Sequence, residues 1–175
     1  MIGVVGHEDL PPDTSVLVER ELRTCLERYA EPAPGLVRAG TRPAAAFARA
    51  IRAAGRDLVA LLPAQGAVPA PLPSRAVEQA REVMALAEEV RLLAYDPADR
   101  DACVRADEAL ILHCDRVLAV WDGSPTNGRD ATAHMVAYAR ARGVQVEVVW
   151  PAGAVRTPVQ TVRTPVPVRS GARTA

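Results

Sequence analysis

The residues with most chemical potential lie in one polar loop, Asp122-Gly123-Ser124-Pro125-Thr126-Asn127-Gly128-Arg129-Asp130-Ala131-Thr132. An arginine such as Arg129 pairs with a phosphate, an aspartate such as Asp122 accepts hydrogen bonds from sugar hydroxyls, and glycines let backbone N–H groups approach an anion closely. Thr132 opens a helical pattern, where free N–H groups favour negative charge. Each of these has a plainer alternative. Asp122-Gly123 is also an ordinary turn pair, and Asp130 caps a helix without any ligand. Gly6-His7 and Thr41-Arg42 stand in two further polar breaks and carry the same kinds of groups. Gly6 and Gly123 serve close approach or a tight turn equally well.

These breaks gain meaning from the segments before them. Met1–Val5, Leu36–Ala39, Asp57–Leu62, Val90–Ala94, Arg116–Trp121 and Val144–Trp150 are short runs, most of them apolar on both faces, which is the pattern of strands covered above and below. Helical periodicity fills the intervals. Val18, Leu22, Cys25, Leu26 and Tyr29 recur at helical spacing, with Asp13 or Thr14 as the expected N-cap. An Ala-rich helix spans residues 44–54 and ends at Gly55. Residues 74–89 form a third, with Val77, Ala80, Met84 and Ala87 on its buried side, and residues 100–114 a fourth carrying Val104, Ala106, Leu110 and Ile111. The fifth covers residues 130–142, whereas Pro63–Pro73, with its four prolines, reads as a surface loop.

Strand and helix therefore alternate, which predicts an α/β fold: a doubly wound, mainly parallel six-stranded sheet with helices on both faces. In such a sheet the loops at the carboxyl ends of strands share one edge. Gly6, His7, Thr41, Arg42, Asp122, Gly123, Asn127, Gly128, Arg129 and Thr132 are thereby expected to converge into one ligand-binding site. The first strand is expected beside the strand at 116–121, and the strand at 90–94 at an edge.

Composition sets the limits. Twenty-one basic residues, all arginine, balance twenty-one acidic ones, which argues against a nucleic-acid partner bound by phosphate neutralisation. No apolar run approaches the length of a membrane span and no leader pattern precedes the first strand, so a cytoplasmic protein is expected. Cys25, Cys103 and Cys114 share no metal-ligand spacing and read as core thiols. His7 and His134, the latter expected near the same mouth, lack a carboxylate at ligand spacing, so no metal is assigned. His113 reads as structural. Residues 1–151 form the predicted domain; residues 152–175 form a basic tail with the pentapeptide VRTPV at Val155–Val159 and again at Val162–Val166, expected to be largely unstructured and open to contact with an anionic partner or another subunit.

Gly3-Val4-Val5-Gly6-His7-Glu8-Asp9-Leu10 resembles a GVTGHRxL opening, and Asp115–Gly123 with Thr132–Gly143 resembles the strand, WDG loop and helix start of actinobacterial proteins in the SLOG superfamily. That superfamily includes the DNA-processing protein A and the LOG phosphoribohydrolases. The resemblance covers residues 1–151 and implies a Rossmann-like domain that binds nucleotides or nucleotide-derived ligands. This sequence departs from it in three places. Arg38–Ala44 replaces a segment resembling GLAEGAD, and Gly128-Arg129-Asp130-Ala131-Thr132 replaces GRGGT. Aligned on Thr132, Met135 stands where the LOG motif PGGxGTxxE has its glutamate, and a thioether is neither nucleophile nor base in that role. The expectation is a nucleotide-derived small molecule as partner, no catalytic residue, no assigned cofactor, and a homo-oligomer as an open alternative. An N-glycosidase acting on nucleoside monophosphates and a scaffold that has lost its ligand are the competing readings.

Overall fold

The computed structural model describes residues 1–127 and 130–157. The described elements run β1 (Ile2–Gly6), α1 (Pro12–Glu27), β2 (Gly35–Arg38), α2 (Arg42–Ala53), β3 (Leu58–Gln65), β4 (Val68–Pro69), α3 (Ser74–Leu86), β5 (Glu89–Ala94), α4 (Arg100–Ile111), β6 (Arg116–Val120), α5 (Thr132–Ala141) and β7 (Gln145–Val149). The parallel pairs are β1 with β2, β2 with β3, β1 with β6, and β6 with β7. β5 lies parallel to β3 on the side away from β2, because both neighbours pair with the same stretch of β3. From β1 the chain winds outward through β2 and β3 to β5, then returns to lay β6 on the other side of β1. That reversal makes β1/β6 the topological switch point, where α/β sheets bind ligands.

The fold class is as expected; the strand count is not. The described residues form seven strands, and the sheet is mixed. β3 runs through Pro63 to Gln65, and Val68–Pro69 turns back antiparallel to it around Gly66, which takes φ +65°. The C=O of Pro63 accepts from the N–H of Ala70 at 2.8 Å, closing the hairpin.

Alternation along the strands builds two cores. Ile2, Val4, Val37, Leu58, Ala60, Leu62 and Leu118 face α1, α2 and α3. Val5, Leu36, Val59, Leu61, Val117 and Ala119 face α4 and α5. Gly3 and Gly6 let the layers meet: a Cβ on Gly3 would stand 2.7 Å from Cys114 Sγ, and one on Gly6 2.6 Å from Val120 Cβ. Arg56, buried, donates to the carbonyls of Leu26, Tyr29 and Glu31 and so satisfies the end of α1.

Several helix boundaries differ from the periodicity. α1 starts at Pro12 with Pro11 as its cap, so neither Asp13 nor Thr14 caps it. Thr14 is instead buried, its hydroxyl donating to the Val155 carbonyl and accepting from the Val155 N–H. α3 ends at Leu86 because Ala87 is extended and the Glu88 N–H joins β3 at the Leu58 carbonyl. Its buried residues are Ala80 and Val83, while Val77 and Met84 are exposed. α4 stops at Ile111, leaving Cys114 in the turn behind it, and α5 begins at Thr132. No helix among the described residues is long and apolar enough to cross a membrane.

Candidate functional site

β1 and β6 end side by side, and the His7 N–H extends their ladder by donating to the Val120 carbonyl at 3.1 Å. This register puts the residues after each strand together. His7, 1 % exposed, points both ring nitrogens at carboxylates: Nδ1 lies 2.5 Å from Asp130 Oδ2 and Nε2 2.8 Å from Asp122 Oδ1. Trp150 closes the ring edge-on at 5.7 Å between centroids. Each aspartate also shapes its own loop. Asp122 Oδ1 accepts from the Ser124 N–H, and Asp130 Oδ1 from the Thr132 N–H at the start of α5, both at 2.8 Å.

The cation that completes this cluster comes from beyond the last strand. Residues 152–157 fold back on the sheet edge, with the Thr157 N–H donating to the Asp9 carbonyl at 2.7 Å. Arg156 then reaches the loops after β1 and β6 at once. Its Nε donates to both Asp9 carboxylate oxygens at 2.9 and 3.1 Å, its Nη1 to Ser124 Oγ at 3.0 Å, and its Nη2 to Asp130 Oδ2 at 2.8 Å. Burial works to raise the Asp122 carboxyl, but the bonds from Ser124 and His7 outweigh it and hold it at about 2. Asp130 is likewise desolvated and is held well below the ordinary carboxylate range by His7 and Thr132. His7, Asp9 and Asp130 offer atoms close enough together to ligate a metal ion, yet the Arg156 guanidinium donates to the same two carboxylates. That guanidinium fills the place a cation would take.

In front of this cluster opens a cleft of about 700 Å³ along the carboxyl edge. Gly6, Thr132 and Met135 line its base; Thr41, Arg42 and Arg75 line the wall made by α2 and α3, and Arg100 the wall made by α4. Thr41 caps α2, its hydroxyl oxygen accepting from the Ala44 N–H at 3.2 Å, so the free end of that helix faces the cleft. Arg38 is committed to Asp107 through two bonds, 2.6 and 3.0 Å, and lies 3.8 Å from Glu8. Glu8 stands inside the cleft, open to its contents but surrounded by protein. Desolvation there, against the pull of Arg38, raises its pKa above the ordinary carboxylate value.

The structure thus brings Gly6, Thr41, Arg42, Asn127 and Thr132 to the cleft. His7, Asp122 and Gly123 do not line it: the first two form the cluster behind it, and Gly123, at φ +87°, turns the loop. Gly128 and Arg129 lie outside the described residues. His134 does not share the mouth; its Nε2 meets Glu108 Oε1 on α4 at 2.7 Å. Burial pushes the Cys25 and Cys114 thiols up to about 12, and Cys103 upward too, which fits inert thiols. Arg156, Glu8 and Arg75 were not anticipated as a group. Three aspartates following strand ends, Asp9, Asp122 and Asp130, were the available sign that a cation had to come from elsewhere.

No family model matches the chain, and no curated protein matches it. Two solved structures of the molybdenum cofactor carrier protein from Chlamydomonas reinhardtii share its fold. One aligns at 15% identity with a TM-score of 0.52, covering 84% of this chain and 74% of that one. The other gives 14% identity, a TM-score of 0.50, and 85% and 74% coverage.

Proposed function

We propose that this chain is a binding protein for an anionic small molecule of nucleotide or cofactor size, held in the cleft at the switch point. The observation that carries this is the pairing of cleft and charge. Asp9, Asp122 and Asp130 are engaged by Arg156 and, for the last two, by His7, and Asp107 by Arg38, whereas Arg42 and Arg75 face the cleft with no salt bridge among the described residues. Cations that hold no ion pair, set at the starts of helices, favour a phosphate or carboxylate. Gly6 and Thr132 lie at the base of the cleft, and the SLOG-like resemblance supports a nucleotide derivative. The shared fold with a molybdenum cofactor carrier supports a carried or sensed ligand. Arg42 and Arg75 are the phosphate partners in this reading, and Asp122 is a positioning residue acting through His7.

A native mass spectrum of the protein from its host, compared with the denatured mass, tests the proposal. An adduct of nucleotide or cofactor size that is lost in the double variant Arg42→Ala/Arg75→Ala supports it. The same adduct retained in that variant contradicts the site.

One observation favours an N-glycosidase as second reading: Glu8 is a carboxyl with raised pKa open to the cleft, although Met135 occupies the LOG glutamate position. Release of free base from a nucleoside monophosphate, abolished by Glu8→Gln, would move that reading ahead.

A further inference from the structure

Away from the cleft, β5 ends the sheet. Among the described residues it pairs only with β3, so its other edge carries unpaired backbone groups. The Glu88 N–H points to β3, where it meets the Leu58 carbonyl. In β3 the backbone groups of Asp57, Val59 and Leu61 serve β2, so those of Leu58, Ala60 and Leu62 serve β5; in the register Ala60 with Val90 they meet Glu89, Arg91 and Leu93, which leaves the N–H and C=O of Val90 and Leu92 on the open edge.

The side chains beside this edge are unusually apolar for a free strand. Val90 is 44% exposed and Leu92 45%, on the face shared with α3, since their partners Ala60 and Leu62 belong to that core. Val77 and Met84 of α3 are exposed too. Glu82, on the other flank of α3, forms a salt bridge with Arg49 of α2, so Val77 and Met84 lie on the flank turned towards β5. Isolated edge strands are normally protected by charge, proline or a bulge. Here the only charges are Glu89 and Arg91, which bond each other at 2.7 and 3.0 Å.

We infer that the open edge of β5 pairs antiparallel with β5 of a second copy of this chain, about a two-fold axis at Val90. The charges select this register. Placing the axis at Glu89 or Arg91 would oppose like charges, which is destabilising. With Val90 on the axis, Glu89 faces Arg91 of the second copy and Arg91 faces its Glu89 as close, non-hydrogen-bonded pairs, whose side chains stand nearest one another. Val90 meets its own copy as a mutually hydrogen-bonded pair through the free backbone groups. The two α3 helices then flank the seam and cover Val77 and Met84. The two sheets become one continuous sheet, and both clefts remain open at its carboxyl edges.

The test uses charge reversal and mixing, read as solution mass by light scattering. The parent is expected at twice 18.6 kDa at micromolar concentration. Glu89→Arg and Arg91→Glu each place like charges across the seam and are expected at single-chain mass. Mixed in equal amounts, they restore complementarity and the doubled mass. Recovery on mixing cannot come from a folding defect or from the pair within one chain. As a second readout, Val90→Cys is expected to form a disulfide-linked dimer on mild oxidation, which the parent with Cys25, Cys103 and Cys114 does not. A parent of single-chain mass overturns the inference, whether its edge is covered by residues 158–175 or by nothing. So do variants that stay dimeric alone, or that remain monomeric when mixed.

Discussion

His7 has a carboxylate at each ring nitrogen, and the Asp122 N–H donates to its Nε2 at 3.2 Å. Replacing it by phenylalanine keeps a ring against Trp150 but leaves Asp122 and Asp130 without that hydrogen-bond partner. His7→Phe is expected to cost about 2 kcal/mol of stability, the scale of losing charged partners at a buried site, measured by urea unfolding. Arg156→Ala is expected to cost a similar amount, about 1–3 kcal/mol, because Asp9, Asp122 and Asp130 then crowd one another. Acid acts on the same groups. The Asp122 carboxyl is lowered from 3.8 to about 2 in the folded chain, so its contribution is complete above the unfolded value and is lost as pH falls through the folded one. Thermal unfolding of the parent should therefore weaken steeply below pH about 4. Asp122→Asn should start less stable and show a shallower acid slope; an unchanged slope would remove Asp122 from the account.

Between elements, β1 and β6 set the geometry of everything at the carboxyl edge. A methyl at Gly6 would press on Val120 backbone and side chain at 2.6–2.7 Å, and neither strand has room to move. Gly6→Ala is expected to destabilise by about 1–3 kcal/mol, as overpacking does, and to weaken ligand binding by displacing the loops after both strands. Much of this level was legible from residue patterns. Apolar runs of strand length, alternating with helical spacing, were enough for the α/β fold and for β1 beside β6. Local patterns failed where tertiary pairing took over. α3 reads as helical to Glu89 by composition, but β3 captures the backbone from Glu88 onward. Pro63 reads as a loop marker, yet an edge hairpin tolerates it. Thr14 looks like a cap and is instead a clasp for Val155.

For the whole molecule, the chain closes its own edge with a residue from past the last strand. Arg156 sits in a Pro/Thr/Val-rich segment that resembles a linker by composition, and nothing in its local pattern marks it as a partner for three aspartates 26 to 147 positions away. That distance is why Arg156 was not legible in the sequence, nor the division of labour between His7, Asp122 and the cleft. A chain ending at Ala154 should lose at least the stability that Arg156→Ala loses, since Val155 and Thr157 also anchor the segment; equal melting of parent and truncation would show that the clasp contributes nothing.

The central claim is that the cleft binds an anion through Arg42 and Arg75. It is tested most directly by calorimetric titration of the parent and of Arg42→Ala and Arg75→Ala with nucleoside monophosphates, diphosphates and inorganic phosphate. At least one nucleotide is expected to bind the parent, with each substitution weakening it about tenfold, the equivalent of one charge-assisted hydrogen bond of about 1.4 kcal/mol. Equal affinity in parent and variants, or heat from none of the ligands, would contradict the account.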